Sequence, residues 1–205
     1  PEPGKTLCVE VVRGILAKRI GRLTGAGLYA ESQKLGEHLD WKDSGIHGCD
    51  SVQNAVHRGR LFWAWGDTNM PNYPLGLFDM SSATTAINPP ASLEPPLKLK
   101  FDYFTDDKGR QRGVAKMPGS GPTWGTAYVS LPDKTGTPRL VGSYVKIKPP
   151  LDAYESGLCV WNDETSQFDL LRVLWTKSDA APKQTPMPEG HPALWKDVQG
   201  KEWVL

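Results

Sequence analysis

The sequence predicts an all-β chain built from short, turn-rich strands. Three observations predict it. Gly 21 and Pro 18 make up nearly a fifth of the 205 residues, and breakers at that frequency leave room for short elements only. No long stretch shows a helical period, whereas extended runs bounded by turn residues recur along the chain. One Arg-Gly pair separates two such runs, Ser51-Val52-Gln53-Asn54-Ala55-Val56 and Leu61-Phe62-Trp63-Ala64-Trp65, which reads as a tight hairpin.

Taken in order, residues 6–12 read as a strand behind a Pro/Gly turn. Residues 16–22 form either a short helical turn or more extended chain. The glycine-rich 24–29 lacks the Lys and Ser/Thr of a phosphate loop, so its glycines serve close packing. In the hairpin, Arg58-Gly59 as the loop pairs His57 with Arg60, and opposed positions sum to 117. That register sets Asp50 directly opposite Asp67. Further strands are expected at 81–87, 97–105, 123–131, 139–148, 157–162 and 168–175. Residues 89–96 and 180–188 are proline-rich connections, and 106–112 is a charged loop tip.

A faint repeat runs through these elements. Gly48, Gly121 and Gly190 each precede a valine by eight residues, and the starts lie 73 and 69 apart. Each interval holds about four strands, which is what propeller blades look like. The fold expected is therefore a β-propeller of antiparallel four-stranded blades, with units near 48–105, 121–175 and 190–205. The third unit breaks off after one strand and part of a second. The chain opens on Pro1-Glu2-Pro3 and closes on the apolar Trp203-Val204-Leu205, so it reads as a segment of a longer protein.

Composition excludes several classes. A net charge of +1 gives no positive field to gather phosphates, so no nucleic-acid partner is expected. No stretch approaches the roughly 20 apolar residues of a membrane-spanning helix. Hydrophobic content of 39% argues against wholesale disorder. Cys8, Cys49 and Cys159 are odd in number and widely spaced, giving neither a disulfide framework nor a metal pattern. No zinc spacing and no Ser-His-Asp order stands out, and no cofactor is expected.

Asp50 and Asp67 lead the candidates for chemistry. Like charges opposed on one sheet face destabilise it and raise one pKa, so such a pair hints at a site. The alternative is a turn Asp and an exposed strand Asp. His191 begins the third unit, where a propeller would bring it together with Asp50 and Trp124 at one end of the central channel. Its alternative is a loop His fixed by Pro192. Trp124, Tyr73, Tyr144 and Tyr154 sit near loops, where flat rings can stack on sugars. Trp63, Trp65, Trp161 and Trp175 alternate within strands and read as core. Glu155 and Glu189 are weaker acidic candidates.

Gly48-Cys49-Asp50-Ser51-Val52, the run Gly59-Arg60-Leu61-Phe62-Trp63-Ala64-Trp65-Gly66-Asp67-Thr68-Asn69, and Glu189-Gly190-His191-Pro192 resemble bacterial proteins with a five-bladed propeller. These are similar to the glycoside hydrolase family 43/117-like clan of arabinanases, xylosidases and agar-oligosaccharide hydrolases. The resemblance covers the chain from about Arg22 onward, roughly half of such a propeller. It implies that residues 1–22 are the last strand of a preceding β-sandwich and its linker, and that 23–205 are a partial propeller.

The same resemblance implies a carboxylate on the first inner strand, here Asp50, as base on water. A second carboxylate would tune it, and a general acid would come from a later blade. His191 would bind a sugar hydroxyl or assist proton transfer, but Glu189 does not match the family's acid securely. A channel calcium is implied by analogy only. The expected function is an inverting glycoside hydrolase acting on a neutral plant or algal oligosaccharide. Asp50 and Asp67 are the catalytic candidates, and His191, Trp124, Tyr154 and Glu189 the substrate-binding ones. Asp67 lies too close to Asp50 to be its acid, since inversion needs roughly 6.5–9.5 Å between carboxyls. The alternative function is a non-catalytic glycan-binding or scaffold propeller.

Overall fold

A computed structural model describes residues 48–69, 79–87 and 99–205, with isolated positions among residues 4–36. The expected elements at 6–12, 16–22, 24–29 and 89–96, the boundary near residue 22, and Tyr73 lie wholly or largely outside the described residues.

Twelve strands follow one another in the described residues, with no helix among them. They are β1 (Gly48–Cys49), β2 (Gln53–His57), β3 (Arg60–Trp65), β4 (Thr68–Asn69), β5 (Ser81–Ala86) and β6 (Asp102–Tyr103). Then come β7 (Thr123–Pro132), β8 (Pro138–Lys148), β9 (Asp152–Asn162), β10 (Gln167–Thr176), β11 (Leu194–Lys196) and β12 (Glu202–Val204). Two four-stranded antiparallel sheets dominate, in the orders β2-β3-β5-β6 and β10-β9-β8-β7. The pairs β1-β4 and β11-β12 form small ribbons.

The first hairpin forms as its turn chemistry requires. Arg58 and Gly59 have φ of 46° and 74°, the left-handed pair that matches the twist of the flanking strands. Gln53 pairs with Ala64 and His57 with Arg60, and the same register holds at Cys49 and Thr68. The strands expected at 81–87, 123–131, 139–148 and 168–175 are present within a residue or so. Two expectations need correction. Of the described residues 99–105, only Asp102–Tyr103 form a strand of the ladder, with Thr105 bridging to Gln111 as the chain turns back. The strand expected at 157–162 begins earlier, at Asp152.

Between the two sheets lies the main core. Phe62 from β3 meets Trp161 and Phe168 edge-on, at ring-centroid distances of 5.0 and 5.8 Å, a favourable aromatic geometry. Tyr128, Leu140, Tyr144 and Cys159 complete the second sheet's share. The strap Val114-Ala115 links the sheets, donating backbone N–H groups to Met80 and Asp79 and accepting one from Phe168. Trp63 and Trp65 share the first sheet's other face, where both rings meet Phe101. As expected, Trp161 and Trp175 are buried. No disulfide joins the described cysteines, and burial pushes the Cys159 thiol up to about 12.

The repeat has a physical counterpart. Gln53 Nε2 lies 3.5 Å from Thr126 Oγ1, and His57 Nδ1 lies 2.9 Å from Ser130 Oγ. Both pairs are 73 positions apart, the spacing read between the first two units. Strands β2 and β7 therefore run side by side in the same direction, with equivalent positions touching. The third unit departs from this spacing. Gly190 meets Thr126, 64 positions away, and its first strand starts only at Leu194. Among the described residues the sheets stay open, and no ring of blades closes.

His57 clasps the two sheets. Its buried ring bonds Ser130 on β7 and lies 3.5 Å from Asp163 in the β9–β10 turn, which Arg58 also pairs at 3.0 Å. Burial lowers the His57 pKa below its usual 6.5; Asp163 opposes the shift and Arg58 adds to it. The folded state then resists protonation that the unfolded chain accepts, so stability falls as pH drops below about 6.5. Urea unfolding of wild type and His57→Gln at pH 7.5 and 5 checks this. The wild type is expected to lose more stability on acidification, and equal losses would assign the sensitivity elsewhere.

Candidate functional site

Asp50 sits where β1 leads into β2, and Asp67 where β3 leads into β4. The Asp50 N–H donates to the Asp67 carbonyl at 2.9 Å, and the Asp50 carbonyl accepts from Gly66 N–H at 3.1 Å. The first bond keeps the register of 117, whereas the second slips it by one residue, so Asp50 adjoins both Gly66 and Asp67 across the paired chains. Both are exposed. Asp50 Oδ1 also accepts the Ser51 N–H at 2.6 Å. Ser51 has φ of 50°, so the chain kinks at the candidate carboxylate. Gly66 permits this approach: a Cβ there would meet Ser51 Cβ at 2.9 Å.

His191 is exposed and follows a docked glycine. Gly190 N–H donates to Thr126 Oγ1 at 3.0 Å, and its carbonyl accepts from Ala127 N–H at 3.1 Å. Ala127 has φ of 56° within a register shift of β7, and that bulge turns its N–H outward to receive Gly190. Thr126 also lies 3.5 Å from Gln53 Nε2. One chain of contacts, Gln53–Thr126–Gly190, therefore gathers the starts of all three units. Asp50 lies three residues before Gln53, Trp124 two before Thr126, and His191 directly after Gly190.

The other candidates divide. Trp124 is half-buried on β7, paired with Val145. Tyr154 is half-buried on β9; its hydroxyl donates to the Ser120 carbonyl at 2.6 Å, and Lys148 Nζ lies 5.7 Å from its ring. It thereby ties down the loop that leads to Trp124. Glu189 is exposed beside Gly190. Tyr144, expected near a loop as a stacking ring, is instead a core residue with 0% exposure. It donates its hydroxyl to Glu155 Oε1 at 2.8 Å; burial first and Glu155 second raise its pKa.

Sequence reasoning missed one buried charge. Lys146, on β8, is 1% exposed. Its Nζ donates to the carbonyls of Met117 and Gly121 at 3.2 and 2.7 Å and to Thr123 Oγ1 at 3.2 Å. Burial lowers its pKa, while Asp79 and Glu155 hold it up. The ammonium thus gathers the loop that feeds β7, a positioning role beneath Trp124. The only sequence signal is alternation with Tyr144, which puts Lys146 on the same strand face.

Among the described residues no three His, Cys, Asp or Glu side chains gather to hold a metal. The calcium that the resemblance allows has no such ligand set among the described residues. Comparison with protein-family models, curated proteins and solved structures gives no match for this chain.

Proposed function

We propose that the chain forms blades of a carbohydrate-active β-propeller and works as an inverting glycoside hydrolase on a neutral oligosaccharide. One observation supports the reading: the Gln53–Thr126–Gly190 contacts join segments of the three units, and Asp50 and His191 lie within three residues of those contacts in sequence. In a propeller the inner strands of neighbouring blades run side by side, and β2 and β7 touch at equivalent positions. Asp50 takes a proton from water as that water attacks the anomeric carbon; the glycosidic C–O bond breaks, and the leaving alcohol oxygen takes its proton from a general acid that the resemblance places on a later blade. Asp67, opposite, modulates the base, and His191 bonds a sugar hydroxyl. Trp124 and Tyr154 offer ring surface, and Glu189 a polar contact. The near-neutral chain suits an uncharged ligand, with neither nucleic acid nor membrane as partner.

Asp50→Asn provides a binding-competent background for the test. Calorimetric titration with arabinan-, xylan- and galactan-derived oligosaccharides is expected to give saturable binding to at least one. Adding His191→Ala should weaken that binding by roughly tenfold, the worth of one well-made hydrogen bond. Binding indifferent to His191 would remove it from the site, and no binding by any of these sugars would overturn the proposal. Binding without any hydrolysis by the wild type would leave a glycan-binding module.

A further inference from the structure

The ribbon of β11 and β12 joins neither large sheet. Among the described residues neither of its strands pairs with a third. Leu194, Trp195, Trp203 and Val204 are each 43–57% exposed. Leu194 pairs with Val204 and Trp195 with Trp203, so apolar side chains stand open on both faces of the ribbon. An isolated two-stranded hairpin is marginally stable in water, and three or more strands sharing an apolar face are needed to hold one. The two large sheets each have four.

The bonding inside the ribbon decides which backbone groups face outward. Ala193 and Leu205 exchange backbone bonds at 3.0 and 2.9 Å, and Asp197 N–H donates to the Lys201 carbonyl at 3.0 Å. Antiparallel pairs alternate between bonded and unbonded. The N–H and C=O groups of Glu202 and Val204 therefore point away from β11, into the open edge of β12. The chain feeding β11 is tied to β7 through Gly190. Strand β12 has no such tie: among the described residues, the hydrogen bonds of 198–204 close within the ribbon and its turn. Asp197 binds the Gln199 and Lys201 N–H groups and the Trp203 indole N–H, and Lys201 Nζ lies 3.9 Å over the Trp203 ring. The edge strand is thus held in shape before anything pairs with it.

We infer that the β12 edge pairs with the β12 edge of a second copy of this chain, antiparallel about a twofold axis. Such an interface uses one patch twice, so the patch must be self-complementary. The outward groups of Glu202 and Val204 meet their like only when the axis passes through a residue; an axis between residues would set outward groups against inward ones. Centring on Glu202 opposes two carboxylates, a like-charge contact that destabilises a ladder. Centring on Val204 leaves Lys201 and Glu202 beyond the pairing. Centring on Trp203 sets Glu202 opposite Val204 and Lys201 opposite Leu205, with no like charges opposed. The product is a four-stranded sheet, the strand number of the other two. On one of its faces Trp195, Trp203 and their copies form a row of four indoles, and cross-strand aromatic pairs stabilise a sheet. The contact is independent of the sugar chemistry proposed above.

Sedimentation equilibrium of the 205-residue chain tests the association. The weight-average mass is expected to rise with concentration from that of one chain towards that of two. Val204→Pro removes an outward N–H that the ribbon itself does not use. It should weaken association at least about tenfold while the melting temperature holds. Oxidative crosslinking reads the register, in a Cys8→Ser background that removes an exposed thiol. Trp203→Cys is expected to crosslink, because a residue on the axis meets its copy at roughly 4.5 Å between Cα atoms, within disulfide reach. A mass of one chain at every concentration would overturn the inference, and so would association untouched by Val204→Pro. Crosslinking through Glu202→Cys rather than Trp203→Cys would overturn the Trp203-centred pairing.

Discussion

Gly157→Ala is expected to destabilise the protein by at least about 3 kcal/mol. A melting-temperature drop of about 10 °C follows for a chain of this size. Gly157 lies inside β9, where a Cβ would meet the Arg172 carbonyl oxygen at 2.2 Å, Tyr144 Cε1 at 2.8 Å and Val173 Cα at 3.0 Å. Two of these contacts are backbone of the neighbouring strand and cannot swing aside. The third is the ring of a fully buried tyrosine whose hydroxyl is committed to Glu155. Relief requires parting β9 from β10, next to the irregularities that already interrupt their ladder.

Gly136→Ala supplies the control. Its φ is +83°, but a Cβ there meets nothing within 4 Å. Only the left-handed backbone penalty remains, about 1–2 kcal/mol. Thermal melts of the two variants separate steric packing from backbone conformation. Equal losses would contradict the close approach of β9 and β10.

Asp50→Asn is expected to reduce hydrolysis by a factor of about 10²–10⁴, the usual worth of a positioned general base. The substitution keeps the size of the side chain and an oxygen able to accept the Ser51 N–H, so the kink at Ser51 should persist. What is lost is the ability to take a proton. Binding of the same oligosaccharide should survive, which places the deficit in kcat rather than KM. A variant that lost kcat and fold together would report structure instead, so its melting temperature belongs beside its rate.

Much of the fold was legible in local chemistry. Arg58-Gly59 specified the first turn, and from it the register of 117 carried through to Cys49 and Thr68. The spacing of 73 between Gly48 and Gly121 reappears as contacts between equivalent positions of β2 and β7. Other features had no local signature. In the third unit Gly190 is seated by a bulge in a distant strand, which no spacing within its own segment reveals. Residues 97–105 carry a strand-like composition, but the chain turns back at Asp106, where Arg110 and two backbone N–H groups bind the carboxylate.

The candidate site was legible in part. The backbone bond between Asp50 and Asp67 followed from the hairpin register, whereas the one-residue slip at Gly66 did not. Tyr144 reads as a loop-side ring and Lys146 carries no local signal of burial, because their partners are supplied by other segments: Glu155 for the tyrosine, the 117–123 loop for the lysine. The His57 clasp joins the end of β2 to β7 and to the β9–β10 turn. Only the packing of one sheet on the other brings those together.

The central claim is that Asp50 activates water against a neutral sugar bound where the units begin. Its most direct measurement is the hydrolysis rate of wild type against Asp50→Asn on α-L-arabinosides, β-xylosides and galactan-derived oligosaccharides. A wild-type activity on at least one class that falls at least about a hundredfold in a folded Asp50→Asn variant is the result expected. Hydrolysis that proceeds unchanged without the Asp50 carboxylate would contradict it.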